Sequence, residues 1–151
     1  LKLGQANIPL IVTNHTYDVI GSYVPTKEMG GGSGLKYAAS TIIYLSKKKE
    51  KSEKEVVGNI IKAKTVKSRL SKENKEVEIR LYYDDRGLDK YYGLLELGEI
   101  GGLWANKAGR YEINGKKVFA KQILAKPEEY FTQEIMQALD EIARKHFSYG
   151  N

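Results

Sequence analysis

The pattern of hydrophobic and polar positions changes several times along the chain. The first apolar run, Ile8-Pro9-Leu10-Ile11-Val12, is short and β-branched and stops abruptly at Thr13-Asn14-His15. That texture predicts a buried strand over residues 7 to 15. Residues 16 to 33 then read as a long loop, with Gly21, Pro25 and the run Gly30-Gly31-Gly32-Ser33. A loop of this length inside a compact domain is functional or mobile. Gly34 to Ser40 predicts a short helix. In an open α/β sheet, residues just past a strand's C-terminal end lie where ligands bind, so Asn14 and His15 stand at the edge of a candidate site.

The next third of the chain reads as β-structure. Strands are predicted at Thr41 to Lys48, about Val57 to Arg69, and Glu76 to Tyr83, with the lysine-rich run 47–55 as a polar hairpin tip. The last of these alternates cleanly: Val77, Ile79 and Leu81 on one face, Glu78 and Arg80 on the other. After Asp84-Asp85-Arg86-Gly87 the texture changes to mixed helix and strand. Leu88 to Ile100 has a helical apolar side of Tyr91, Leu94, Leu95 and Leu97. Asn114-Gly115 between Tyr111 and Val118 signals a type I′ hairpin. The final helix begins at Pro127, with Glu128 and Glu129 at its positive end. Phe131, Ile135, Leu139 and Ile142 recur along it, and Arg144, Lys145 and His146 close it. At that end His146 reads as a favourable partner of the helix dipole.

The 151 residues suffice for one domain, or a core piece with an appendage. No apolar run approaches the roughly 20 residues that span a bilayer, so no membrane partner is expected. The chain opens on Leu1, without an initiator methionine or signal peptide, as a piece of a longer polypeptide would. It contains no cysteine, which excludes disulfides and thiolate metal sites and fits a reducing compartment. The net charge of +6 is unevenly spread: residues 36 to 80 hold 13 Lys or Arg against 6 Asp or Glu, and the remainder is slightly acidic. Such a patch suits an anionic partner, and equally a solvated lysine-rich hairpin.

Spacing rules out a nucleotide cradle. Leu35 separates Gly34 from Lys36 and Tyr37 follows the lysine, so neither a Walker A loop nor a Gly-x-Gly-x-x-Gly turn is present. Consecutive glycines can still offer backbone N–H groups to a phosphate, or serve as a hinge. Asn14 and His15 have no nucleophile or third member at a recognisable spacing, and two distant histidines without cysteine give no metal site. In Lys62-Ala63-Lys64-Thr65-Val66-Lys67-Ser68-Arg69, the cations Lys67 and Arg69 share one face at the strand's end, where two charges converge on one anion. A charged strand edge guarded against aggregation fits the same pattern.

Four blocks in this order resemble the C-terminal half of RecA-family recombinases, and within them the UvsX-like recombinases of T4-type phages. They are Ile11-Val12-Thr13-Asn14-His15, Gly31-Gly32-Ser33-Gly34-Leu35-Lys36-Tyr37-Ala38-Ala39-Ser40, Val66-Lys67-Ser68-Arg69, and Tyr92-Gly93-Leu94-Leu95-Glu96-Leu97-Gly98. The implied fold is α/β: residues 1–86 would be the C-terminal part of a RecA-like ATPase core with a mixed β-sheet and helices. Residues 87–151 would be a small C-terminal α/β subdomain.

The resemblance also implies roles. Asn14 and His15 would sense the γ-phosphate, and residues 16 to 33, with Lys27, Gly30, Gly31, Gly32 and Ser33, would form the second DNA-binding loop. Lys36 and Tyr37 would lie at the interface with a neighbouring protomer. Lys67 and Arg69 would reach across that interface to the neighbour's ATP. Bacterial members carry lysine at both of these positions, so Arg69 keeps the charge and adds a bidentate fork. Tyr82 and Tyr83 would fall on the base side of the nucleotide.

The implied whole is a DNA-dependent ATPase that performs strand exchange as a helical filament on single-stranded DNA and uses ATP and Mg2+. It would work in the cytoplasm of a host cell with double-stranded DNA, single-strand-binding proteins and mediator proteins as partners. The family's Walker A and B elements are not in this sequence, so the fragment alone is expected neither to bind these cofactors nor to hydrolyse ATP. Two other readings remain: a nucleic-acid-binding module without enzymatic activity, and a fragment of another RecA-fold motor such as a hexameric helicase.

Overall fold

The computed structural model describes residues 2–21, 23, 26–53, 55–113 and 115–149. The chain forms two compact units, Leu1–Ala39 and Ser40–Asn151. It is mixed α/β, with three separate antiparallel sheets.

The first unit opens with the single turn α1 (Lys2–Gln5) and holds a small hairpin, β1 (Thr16–Asp18) with β2 (Lys27–Met29), followed by α2 (Gly32–Ala38). Hairpin register pairs Thr16 with Met29, Tyr17 with Glu28 and Asp18 with Lys27. Two expectations change here. Residues 8 to 15 are not a strand, and Ile11 is 92% exposed. A β-ladder exists only when a neighbour supplies the other half of each hydrogen bond, and among the described residues nothing pairs with this run. Residues 16 to 33 are not an unstructured loop, because their two ends zip into the hairpin stem. Pro25 lies outside the described residues.

In the second unit β3 (Thr41–Ser52), β4 (Glu55–Ser68) and β5 (Glu76–Tyr82) form a sheet in the order β3-β4-β5. The polar run 47–55 is not a tip: the ladder continues to the pair Ser52 and Glu55. Charged side chains on both faces of an exposed ribbon do not oppose its backbone pairing, and lysines on an edge strand discourage intermolecular pairing.

Two bulges interrupt β4. Lys67 faces Ile42 while Thr65 faces Ile43, which leaves Val66 as an extra residue; Val57 is extra in the same way between Val56 and Gly58. The face that carries Ala63 also carries Ile43, Leu45 and Val77, which are 53%, 67% and 42% exposed.

The C-terminal part has its own core. α3 (Leu94–Ile100), β6 (Asn106–Lys107), β7 (Arg110–Ile113), β8 (Lys116–Phe119), α4 (Ala120–Ala125), α5 (Pro127–Tyr130) and α6 (Gln133–Phe147) follow in order. Leu95, Trp104, Tyr111, Ile113, Ile123, Phe131 and Leu139 are buried together. The indole Nε1–H of Trp104 donates to the Leu95 carbonyl at 2.8 Å, so the ring brings no unsatisfied donor into the core.

The helix predicted from Leu88 starts only at Leu94. Residues 88–93 are held instead by an isolated bridge from Leu88 to Leu81 and by the Asp89 carboxylate, which accepts from the Tyr91 N–H at 3.0 Å. The helix predicted from Pro127 is two helices. Thr132 caps the second, accepting from the Ile135 N–H at 3.5 Å. The break lets Phe131 turn inward, stacked on Tyr91 at 5.4 Å and edge-on to Trp104 at 6.3 Å. The hairpin at 110–119 forms as expected, with Asn114 of its Asn-Gly turn outside the described residues.

Candidate functional site

Asn14 organises the first unit's candidate site. Its Nδ2 donates to the Gly30 carbonyl at 2.7 Å, and its Oδ1 accepts from the His15 N–H at 2.8 Å. The Gly30 N–H donates back to the His15 carbonyl at 3.1 Å. One short side chain and one backbone bond therefore join the end of the apolar run to the glycine end of the loop, 16 residues later. Asn14, His15 and Gly30, singled out separately in sequence, are brought together here.

The glycines are there for close approach and for backbone sign. A Cβ on Gly30 would stand 3.0 Å from the ring of Tyr17. Gly31 has φ 92 and ψ 6 and directly precedes α2, a left-handed position that costs an L residue about 1–2 kcal/mol. Ser33 falls in the first turn of α2. Lys27 lies in β2 with its Nζ 4.0 Å from Asp18, and the Nζ of Lys36, on α2, is 4.0 Å from Glu28. Tyr37 is 76% exposed.

In the second unit the Val66 bulge decides where the cations point. Plain alternation would place Lys67 and Arg69 opposite Lys62 and Lys64. With one extra residue at Val66 the alternation is reset, and all four cations share one face of β4. The Arg69 N–H continues the pairing beyond the strand by donating to the Ser40 carbonyl at 3.1 Å. Ser68, between the two cations, is buried on the opposite face.

Lys62 and Lys64 are engaged within the sheet. Glu76 on β5 lies 2.5 Å from Lys62 and 3.6 Å from Lys64. The Lys62 hydrogen bond holds the Glu76 carboxyl below its usual range, and Glu76 raises Lys62 in turn. Both groups are exposed, so solvent screens the pair and it adds little to stability.

Residues that the sequence pattern did not single out form a second cluster on this face. Arg80 donates through Nε and Nη2 to Asp89 Oδ2 at 3.0 and 2.7 Å, and its Nη1 lies 3.5 Å from Glu50. Its guanidinium also sits 4.6 Å from the centre of the Tyr92 ring, whose hydroxyl donates to Glu78 at 3.1 Å. Burial opposes the charge on Arg80, and the Asp89 hydrogen bond together with the nearby Tyr82, Asp89 and Glu50 charges offsets it and raises the pKa. In sequence Arg80 is one charged position on the polar side of an alternating strand, and nothing in that pattern marks its partners Asp89 and Glu50. Tyr82 lies under the Arg86 guanidinium at 3.7 Å, whereas Tyr83 is 61% exposed. Arg86 is held by Asp84, whose carboxyl that hydrogen bond lowers to about 2.

His146 is not a charged dipole partner. Its Nε2 lies 3.2 Å from Lys75 Nζ, and burial together with Lys75 and Lys72 pushes its pKa down. Among the described residues no group of three His, Asp or Glu side chains is placed to hold a metal ion. Among those residues, too, no helix is long and apolar enough to cross a membrane.

No family model matches the chain. Individual proteins do. The chain is 36% identical over 106 residues to the recombination and repair protein of Enterobacteria phage T4, an overlap of 70% of this chain and 27% of that protein. Protein RecA of Desulforapulum autotrophicum is 30% identical over 118 residues, 77% of this chain and 34% of its own length. Protein RecA of Caulobacter sp. strain K31 is 26% identical over 119 residues, 78% of this chain and 33% of its own length. The chain is thus similar to RecA proteins and to a phage recombination and repair protein. It spans about a quarter to a third of the length of the curated relatives it matches.

Proposed function

We propose that this chain is the C-terminal portion of an ATP-dependent strand-exchange protein that assembles as a helical filament on single-stranded DNA. In this reading residues 1–86 complete a RecA-like core and residues 87–151 form a small subdomain. Asn14 and His15 respond to the nucleotide's γ-phosphate. Lys27, Gly30, Gly31, Gly32 and Ser33 belong to a DNA-binding loop, and Lys36 and Tyr37 to a protomer interface. Tyr82 and Tyr83 lie toward the base. Exposed apolar groups at Ile11, Leu45 and Ile43 suit a segment whose full core includes further chain.

The observation that carries the reading is the Asn14 bridge. A side chain that touches both the end of the apolar run and Gly30 transmits a shift at one to the other, because the two hydrogen bonds cannot both survive a displacement of about 1 Å. Toward a polyphosphate the chain contributes Lys67 and Arg69, two cations on one face. Supplied to a neighbouring protomer, they would stabilise charge developing at the transferred phosphoryl group and make turnover depend on assembly. ATP with Mg2+ supplies the phosphoryl chemistry when bound.

The test uses the full-length protein that carries this segment. Asn14→Asp replaces the donor to Gly30 by a carboxylate that repels its carbonyl. It should abolish the ATP-dependent gain in single-stranded DNA affinity while leaving nucleotide-free affinity at a fixed salt concentration unchanged. An ATP-dependent gain equal to wild type would overturn the coupling role.

A further inference from the structure

The turn that follows β4 ties the two cations to three separate anchors. Ser68 is one of the few buried polar residues of the second unit, and its bonds all run to this turn. Its Oγ accepts from the Leu70 N–H at 3.2 Å, the Ser71 N–H at 3.0 Å and the Ser71 hydroxyl at 3.0 Å. Its own N–H donates to Glu73 Oε1 at 3.0 Å. Farther along, Asn74 takes φ 58, and its N–H donates to the Thr65 carbonyl at 2.7 Å; the Thr65 N–H donates to the Lys75 carbonyl at 2.9 Å. The outer side of the turn is pinned to the end of α6: the Lys72 N–H donates to the Phe147 carbonyl at 2.8 Å, and Ser71 pairs with Ser148.

These bonds fix residues 68 to 75 as a closed loop whose first two residues are Ser68 and Arg69. The Ser68 N–H is the peptide group directly between the side chains of Lys67 and Ser68. The Glu73 carboxylate receives it. Losing it removes the side-chain support of the peptide that joins Lys67 to Ser68, the backbone from which both cations project.

We propose that Glu73 and Ser68 are positioning residues for Lys67 and Arg69, acting through the Ser68 N–H and the turn rather than by touching a nucleotide. The inference rests on the reading of Lys67 and Arg69 as trans-acting cations. Its chemistry is simple: a carboxylate acceptor of a peptide N–H holds the backbone from which two cations project, and a glutamine can accept the same bond.

The experiment measures single-stranded-DNA-stimulated ATP turnover in the full-length protein for Glu73→Ala, Glu73→Gln, Ser68→Ala and Lys67→Ala. Glu73→Ala and Ser68→Ala should each lose about 10- to 100-fold in kcat with little change in KM, as expected when catalytic groups are misplaced by about 1 Å. Glu73→Gln should retain turnover within about threefold, because Oε1 still accepts.

A mixing assay separates misplacement from misfolding. Glu73→Ala protein keeps its own nucleotide site, so a partner variant disabled in its own phosphate-binding loop but with wild-type cations should serve it. A 1:1 mixture should then recover about a quarter of wild-type turnover, above the roughly 1–10% that Glu73→Ala alone retains, since half the protomers own a good site and half of those have a good neighbour. Absence of recovery would overturn the positioning role. So would wild-type turnover in Glu73→Ala while Lys67→Ala is inactive. Wild-type turnover in Lys67→Ala would instead overturn the reading on which the inference rests.

Discussion

Ala63 and Ser68 are five residues apart on β4 and are buried on the same face of the sheet. Their partners Leu45 and Thr41 lie four residues apart on an uninterrupted stretch of β3 and so share that face. The extra residue, Val66, is what reconciles the two counts. It also sends Lys67 and Arg69 to the opposite face, away from the apolar side.

Lys67→Ala and Arg69→Ala in the full-length protein should each reduce DNA-stimulated ATP turnover by about 10³-fold or more, the scale of a trans-acting cation. The fluorescence of the single tryptophan, Trp104, should be unchanged, because it reports the separate C-terminal core. Wild-type turnover in either variant rules the role out.

Gly31→Ala tests the loop root. With φ 92, alanine there is strained by about 1–2 kcal/mol, which corresponds to about tenfold in an equilibrium constant. Anisotropy with labelled single-stranded DNA should show a weaker complex by about that factor. Unaltered affinity would remove Gly31 from the loop's working geometry.

Gly98 in α3 and Gly101 just after it test the C-terminal core. A Cβ on Gly98 would overlap the Trp104 indole, and one on Gly101 would overlap Ile142. Overpacking costs about 1–3 kcal/mol, and the helix gains at most about 1 kcal/mol from replacing glycine. Gly98→Ala should therefore lower the urea midpoint by an amount equivalent to about 1–2 kcal/mol. A raised midpoint would mean that the indole moves freely.

His146 sets a pH dependence. Its pKa in the fold lies below the ordinary 6.5, because burial, Lys75 and Lys72 disfavour the imidazolium. The folded state thus binds fewer protons than the unfolded state near that pH. Stability from this group is complete above about 6.5 and is lost as pH falls through the folded pKa. The urea midpoint should drop between pH 7.5 and 5.5, and His146→Gln should flatten that drop. Equal drops in the two proteins would assign the slope to other groups.

The sequence was sufficient for what local physics controls. β-branched alternation marked β4 and β5, the glycine run marked the start of α2, and apolar residues at helical spacing marked α6. The resemblance to RecA-family proteins was also legible, because it is carried by strings of side chains and needs no coordinates.

What needed the tertiary structure was every relation that depends on a partner. The run at 8–12 has strand composition but no strand, since a ladder needs a neighbour that the described residues do not supply. The break at Phe131 and Thr132 arises because burying one ring against Trp104 and Tyr91 outweighs continuing a helix. The Val66 bulge leaves no mark in composition, and it alone places Lys67 and Arg69 beside Lys62 and Lys64. Asn14 and Gly30 were each noticed in sequence, but only folding of the loop stem puts an amide within 2.7 Å of a carbonyl 16 residues away.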